Sequence, residues 1–126
     1  MRNLVFALVF MTTSISAQEV KPFAEEVEAI KKKYDTLWDP SKETMVFTGS
    51  SSIRIWHDLQ ERFPDHQIVN SGFGGSQASD LLSYCQQLIL RYQPKRVFIY
   101  EGDNDISVKK RPRNIIKTTE KRELDE

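Results

Sequence analysis

Residues 45–56 read Met45-Val46-Phe47-Thr48-Gly49-Ser50-Ser51-Ser52-Ile53-Arg54-Ile55-Trp56, and the change of rhythm inside this stretch decides the fold. Met45 to Thr48 is a short apolar run of strand length, and Gly49 ends it. Ile53, Trp56, Leu59 and Phe63 then recur at helical spacing. The stretch predicts a strand, a tight turn and a helix.

The same unit returns downstream. Gln67 to Asn70 can form a strand, Ser71 to Gln77 a glycine-rich loop, and Leu81, Leu82, Cys85, Leu88 and Ile89 one stripe of a helix. Arg96-Val97-Phe98-Ile99-Tyr100 predicts a third strand, followed by Gly102-Asp103-Asn104-Asp105 and a last helix from about Arg113 to Leu124. Upstream, Phe23, Val27, Ile30, Tyr34 and Leu37 form an amphipathic stripe, entered at Pro22 and stopped at Asp39-Pro40. Strands alternating with helices imply a parallel α/β sheet covered on both faces.

Composition narrows the function classes. The chain has 126 residues, enough for one domain, and 39% of them are hydrophobic. Eighteen basic residues balance eighteen acidic ones, so no net field draws nucleic acid or anionic lipid. Lys109, Lys110, Arg111 and Arg113 have no aromatic residue among them and acidic residues close behind, which argues against a nucleic-acid site. Met1-Arg2-Asn3, the apolar Leu4 to Met11 and the small Ala17 follow signal-peptide grammar, with cleavage expected after Ala17. Residues 18–126 would then act in the periplasm or outside the cell, without a membrane anchor, because the apolar run is far short of the roughly 20 residues that span a bilayer. The single Cys85 can form no internal disulfide.

In an open parallel α/β sheet, ligands bind at the carboxyl ends of the strands. The loops expected there hold Gly49-Ser50-Ser51-Ser52, Gly72-Phe73-Gly74-Gly75-Ser76 and Gly102-Asp103-Asn104-Asp105. A serine at a strand-to-helix turn places its hydroxyl beside free backbone N–H groups, which suits an acyl-transfer nucleophile; Ser50, Ser51 and Ser52 each qualify, although a serine there taken alone more often caps the helix. Glycines in the second loop admit a ligand oxygen close to the backbone, and Asn104 offers an amide donor, although both residue types also serve plain turns. Donors after three successive strands together describe an oxyanion site. GFGGS matches neither GxGxxG nor a GK[ST] phosphate loop, so nucleotide binding is disfavoured.

VFTGSSSIRIW, NSGFGGSQASDLL and VFIYEGDND resemble, in order and spacing, the first three blocks of the SGNH hydrolases, the GDSL-type esterases and lipases. The resemblance covers roughly Phe47 to Asp105 and places the nucleophile on Ser51, with Ser50 where the family usually has aspartate. It places the oxyanion donors on the backbone N–H groups of Ser51 and Gly75 and on the Asn104 amide. It implies a flavodoxin-like, three-layer α/β/α fold of strand order 2-1-3-4-5, hydrolysis of a carbohydrate, lipid or thioester substrate, and no metal or organic cofactor.

The family also has a late DxxH block carrying the base, and nothing after Asp105 contains a histidine. The only histidines are His57, beyond Ser51 on the following helix, and His66, before the second strand; neither is placed to act as base. The expectation is a C-terminally truncated domain over 18–126, with three strands of an expected five and an exposed third strand. It would be an esterase inactive as it stands, or alternatively a non-catalytic ligand-binding module that keeps the rim donors.

Overall fold

The strand read from Met45 to Thr48 is β1, Thr44–Gly49, and every residue in it is buried. In this computed structural model, which describes residues 21–114, β1 lies at the centre of a three-stranded parallel sheet. Its neighbours are β2, Gln67–Asn70, and β3, Arg96–Tyr100, in the order β2-β1-β3. Val46 stands opposite Val69 on one side and Val97 on the other.

Side chains alternate across a strand, so β1 feeds two cores. Val46 and Val69 pack on one face against α1, Ala24–Leu37, and α4, Ala78–Leu88, through Val27, Tyr34, Leu81, Tyr84 and Leu88. Met45, Phe47 and Ile68 pack on the other against Ile53 of α2, Ser51–Arg54, and Leu59 of α3, Leu59–Arg62. Each large side chain so buried contributes about 1.5–3 kcal/mol, which is what holds a sheet of three short strands. The alternating pattern therefore yields a parallel sheet with helices on both faces, as the sequence predicts.

β3 is covered on neither face to the same degree. Val97, Phe98, Ile99 and Tyr100 are 39–52% exposed, and only Phe98 gains a ring partner, stacking on Phe47 at 4.5 Å. The β2 edge is closed instead: the Gln60 side-chain oxygen accepts from the Ile68 N–H, and the Tyr34 hydroxyl oxygen accepts from the Asn70 N–H.

Three local differences from the sequence reading have physical causes. The helix expected from Ile53 through Phe63 is two single turns, α2 and α3, because the Asn70 side-chain amide donates to the carbonyls of Ile53 and Trp56 and the chain leaves helical geometry between them. The loop Gly102 to Asp105 runs into a short helix, α5, Asp103–Ser107, entered from Gly102 at φ 112°. A one-turn 3-10 helix, Leu90–Tyr92, follows α4 and places Tyr92 in the core. Residues 112–114 are helical, while the rest of the helix expected to Leu124 and the leader at 1–17 lie outside the described residues.

Candidate active site

Gly49 leaves β1 at φ 130°, and the chain turns at once into α2. Ser50 precedes the helix and Ser51 is its first residue. The capping role open to a serine here is not taken up: Ser50 makes no side-chain cap bond. Ser51 is partly exposed, and its hydroxyl has no hydrogen-bond partner among the described residues. Because α2 is a single turn, its electrostatic contribution comes from individual uncapped N–H groups rather than from a long helix dipole.

Backbone contacts bind this turn to the other two loops. The Ser50 N–H donates to the Tyr100 carbonyl at 3.1 Å, which joins α2 to the end of β3. The Ser71 N–H donates to the Phe47 carbonyl at 2.8 Å and the Phe73 N–H to the Gly49 carbonyl at 3.0 Å, which lays the second loop along the end of β1. Gly72 completes the approach: a Cβ there would lie 2.7 Å from Ile53 Cβ and would run into the Arg54 backbone. On the α1 side the Glu26 carboxylate accepts from the Gly74 N–H at 2.9 Å and from Arg54 at 3.1 Å.

Gly75 is exposed at the crest of that loop, and a Cβ built on it would meet only Asn104 Oδ1, 4.0 Å away. Asn104 lies in the first turn of α5, where its side-chain amide donates to the Ser76 carbonyl at 2.8 Å. That amide carries two protons, so one is left for a ligand. The structure thus brings Gly75 and Asn104 side by side, and sets Ser51 next to the residue bonded to the end of β3. His57 is exposed beside a cavity lined by Ile30, Tyr34, Asn70 and Gly72, and His66 is exposed before β2; neither is hydrogen-bonded to Ser51.

Three residues to which the sequence reading gave no role support these donors. The Ser76 hydroxyl oxygen is fully buried, 3.2 Å from the Phe73 carbonyl oxygen and 2.9 Å from Glu101 Oε2. Burial pushes the Glu101 carboxyl up to about 7, against the opposing pull of its bonds to Ser76 and to the Gly102 N–H. Asp105, 1% exposed, accepts from the Ala78 N–H at the start of α4 and from Lys110 Nζ, which fixes α5 against α4. The available signal was an acidic residue directly after an apolar strand, at Glu101, followed by further acids two and four residues on.

Among the described residues, no group of three or more His, Cys, Asp and Glu side chains could hold a metal ion. The arrangement holds the unencumbered Ser51 hydroxyl, the exposed Gly75 and the Asn104 amide on the loops that follow the three strands. No protein-family model and no curated protein matches the chain. A solved structure does: one from Streptococcus pneumonia described as "a putative platelet activating factor", with 28% sequence identity and a TM-score of 0.61. The match covers 76% of this chain and 46% of that one, so this α/β chain shares the fold of a protein of which it spans less than half.

Proposed function

We propose that this chain carries the nucleophile and oxyanion half of an SGNH-type serine ester hydrolase with a flavodoxin-like sheet. The observation that carries the reading is Gly75 standing against Asn104, on the two loops that the Phe73–Gly49 and Ser50–Tyr100 backbone bonds tie to the turn carrying Ser51. Ser51 would attack the acyl carbon, and the N–H groups of Ser51 and Gly75 with the Asn104 amide would receive the charge on the carbonyl oxygen. The name of the Streptococcus protein belongs to lipid-ester chemistry, which is in keeping with this substrate class.

Turnover also needs a group to take the serine proton, and no described residue is bonded to Ser51 in that role. The base would come from outside the described residues. Loss of a triad member in serine hydrolases leaves about 10³–10⁴-fold acceleration from the oxyanion site and binding alone. The test is hydrolysis of 4-nitrophenyl acetate. The chain alone should show negligible turnover, and appending an SGNH C-terminal half that carries the DxxH block should restore it. Ser51→Ala in that completed protein should abolish it, and an active Ser51→Ala protein would overturn the assignment.

That no described residue is bonded to Ser51 as a base also favours a second reading, a binding module that grips an acyl or carboxylate group without turnover. Acetate binding at the rim, with no hydrolysis even in the completed protein, would select that reading.

A further inference from the structure

Ser76 sits between two oxygens that both need a proton. Its hydroxyl has one hydrogen, yet Phe73 O and Glu101 Oε2 are both within bonding distance, and no surface of Ser76 reaches solvent. Two arrangements satisfy the geometry. With Glu101 protonated, its O–H donates to Ser76 Oγ, Ser76 donates to the Phe73 carbonyl, and the chain of bonds is complete. With Glu101 ionised, Ser76 must turn its proton toward the carboxylate, and the Phe73 carbonyl loses that donor.

The two states act on the residues of the rim. Gly75 lies between Phe73 and Ser76 in the chain, so the bond from Ser76 back to Phe73 closes the loop that contains Gly75. The Ser76 carbonyl holds the Asn104 amide at 2.8 Å. The Glu101 carboxylate itself accepts from the Gly102 N–H, immediately before α5. One buried hydroxyl therefore links both donor-bearing segments to a single carboxyl group.

We infer that Glu101 is a positioning residue: through Ser76 its protonation state sets the placement of the Gly75 and Asn104 donors, so that the rim receives a carboxylate or acyl oxyanion best when Glu101 is neutral. The inference rests on the oxyanion reading above for its ligand, though the coupling itself does not. Ser76 cannot be the nucleophile of a Ser–Glu pair, since it is fully buried. The charged groups facing Glu101 are Asp105 of α5 and Asp80 of α4, both of which oppose its ionisation. Lys110 is engaged by Asp105.

The experiment is a pH titration of the full chain by ¹⁵N NMR, read at the Gly75 N–H and the Asn104 side-chain amide. Both should move together with a midpoint near 7, as Glu101 titrates. In Glu101→Gln both should hold the low-pH position at every pH, since the neutral amide can still donate to Ser76. In Ser76→Ala the Glu101 carboxyl carbon should still titrate while Gly75 and Asn104 no longer follow, which keeps the test informative if Glu101→Gln folds poorly. Adding acetate should shift the same two resonances, severalfold more weakly at pH 8.5 than at pH 6. Failure of acetate to bind with the titration intact would overturn the oxyanion reading and leave the coupling. Resonances that ignore pH, or that titrate equally in Ser76→Ala, would overturn the coupling.

Discussion

Gly49 faces the carbonyl of Tyr100 so closely that a Cβ would overlap its oxygen, and it does so at φ 130°, a backbone state that side chains resist. Where β1 ends, the two strands share one space, and glycine is what lets the Ser50 N–H reach that carbonyl. Gly49→Ala should therefore cost about 2 kcal/mol or more from strain and overpacking, a fall in Tm of more than about 8 °C for a domain of this size. A thermal melt followed by circular dichroism checks it.

Gly75 behaves differently, because nothing crowds it except Asn104 Oδ1 at 4.0 Å. Gly75→Ala should leave Tm within about 4 °C, less than about 1 kcal/mol, yet weaken acetate binding, since the new methyl would fill open space beside Asn104 in the proposed oxyanion site. In a protein completed with the DxxH half, Asn104→Ala should lower kcat by about 10²–10³-fold, or about 2.7–4 kcal/mol of transition-state stabilisation. Paired melts and kinetics distinguish the two effects.

Glu101 should also write itself into stability. Its carboxyl is raised from 4.5 to about 7 in the folded chain, so the native state holds a proton that the unfolded state has released between those values. The contribution is present below pH 4.5 and is lost as pH rises through 7. Urea melts between pH 4.5 and 8 should show that decline in the parent and a flatter profile in Glu101→Gln.

The exposed side chains of β3 should drive self-association through the open strand edge. Sedimentation velocity of the parent is expected to show concentration-dependent oligomers. Ile99→Lys, a charge at a position 52% exposed, should shift the population toward monomer without loss of the Phe47–Phe98 stack.

Export is expected to remove residues 1–17. Intact mass of the protein recovered from the periplasm or medium should begin at Gln18, whereas recovery of a chain beginning at Met1 from the cytoplasm would contradict it.

Elements with strong apolar rhythm were legible in the sequence. The stripe Val27, Tyr34 and the run Met45 to Thr48 became α1 and β1 because burial of those residues is what forms the two cores. The loops could be read as carrying donors, but Ser51, Gly75 and Asn104 were singled out only by the resemblance to the SGNH blocks, since serine and glycine after a strand also cap helices and make plain turns. The break between α2 and α3 could not, because it depends on Asn70, a residue from another strand reaching across to two carbonyls. Glu101 and Ser76 were hidden for the same reason: the sharing of one proton between Phe73 and Glu101 exists only once the second and third loops have met.

The Asn70 bridge also ties the serine turn to the sheet. A four-residue turn such as Ser51–Arg54 has no helical stability of its own, since nucleating even one turn is unfavourable for an isolated segment. Its carbonyl at Ile53 accepts from the Asn70 amide, which belongs to β2, the strand paired with β1. The turn that carries Ser51 is therefore held by a contact from another strand rather than by its own helical propensity, so opening the β1–β2 pair would release the serine along with it.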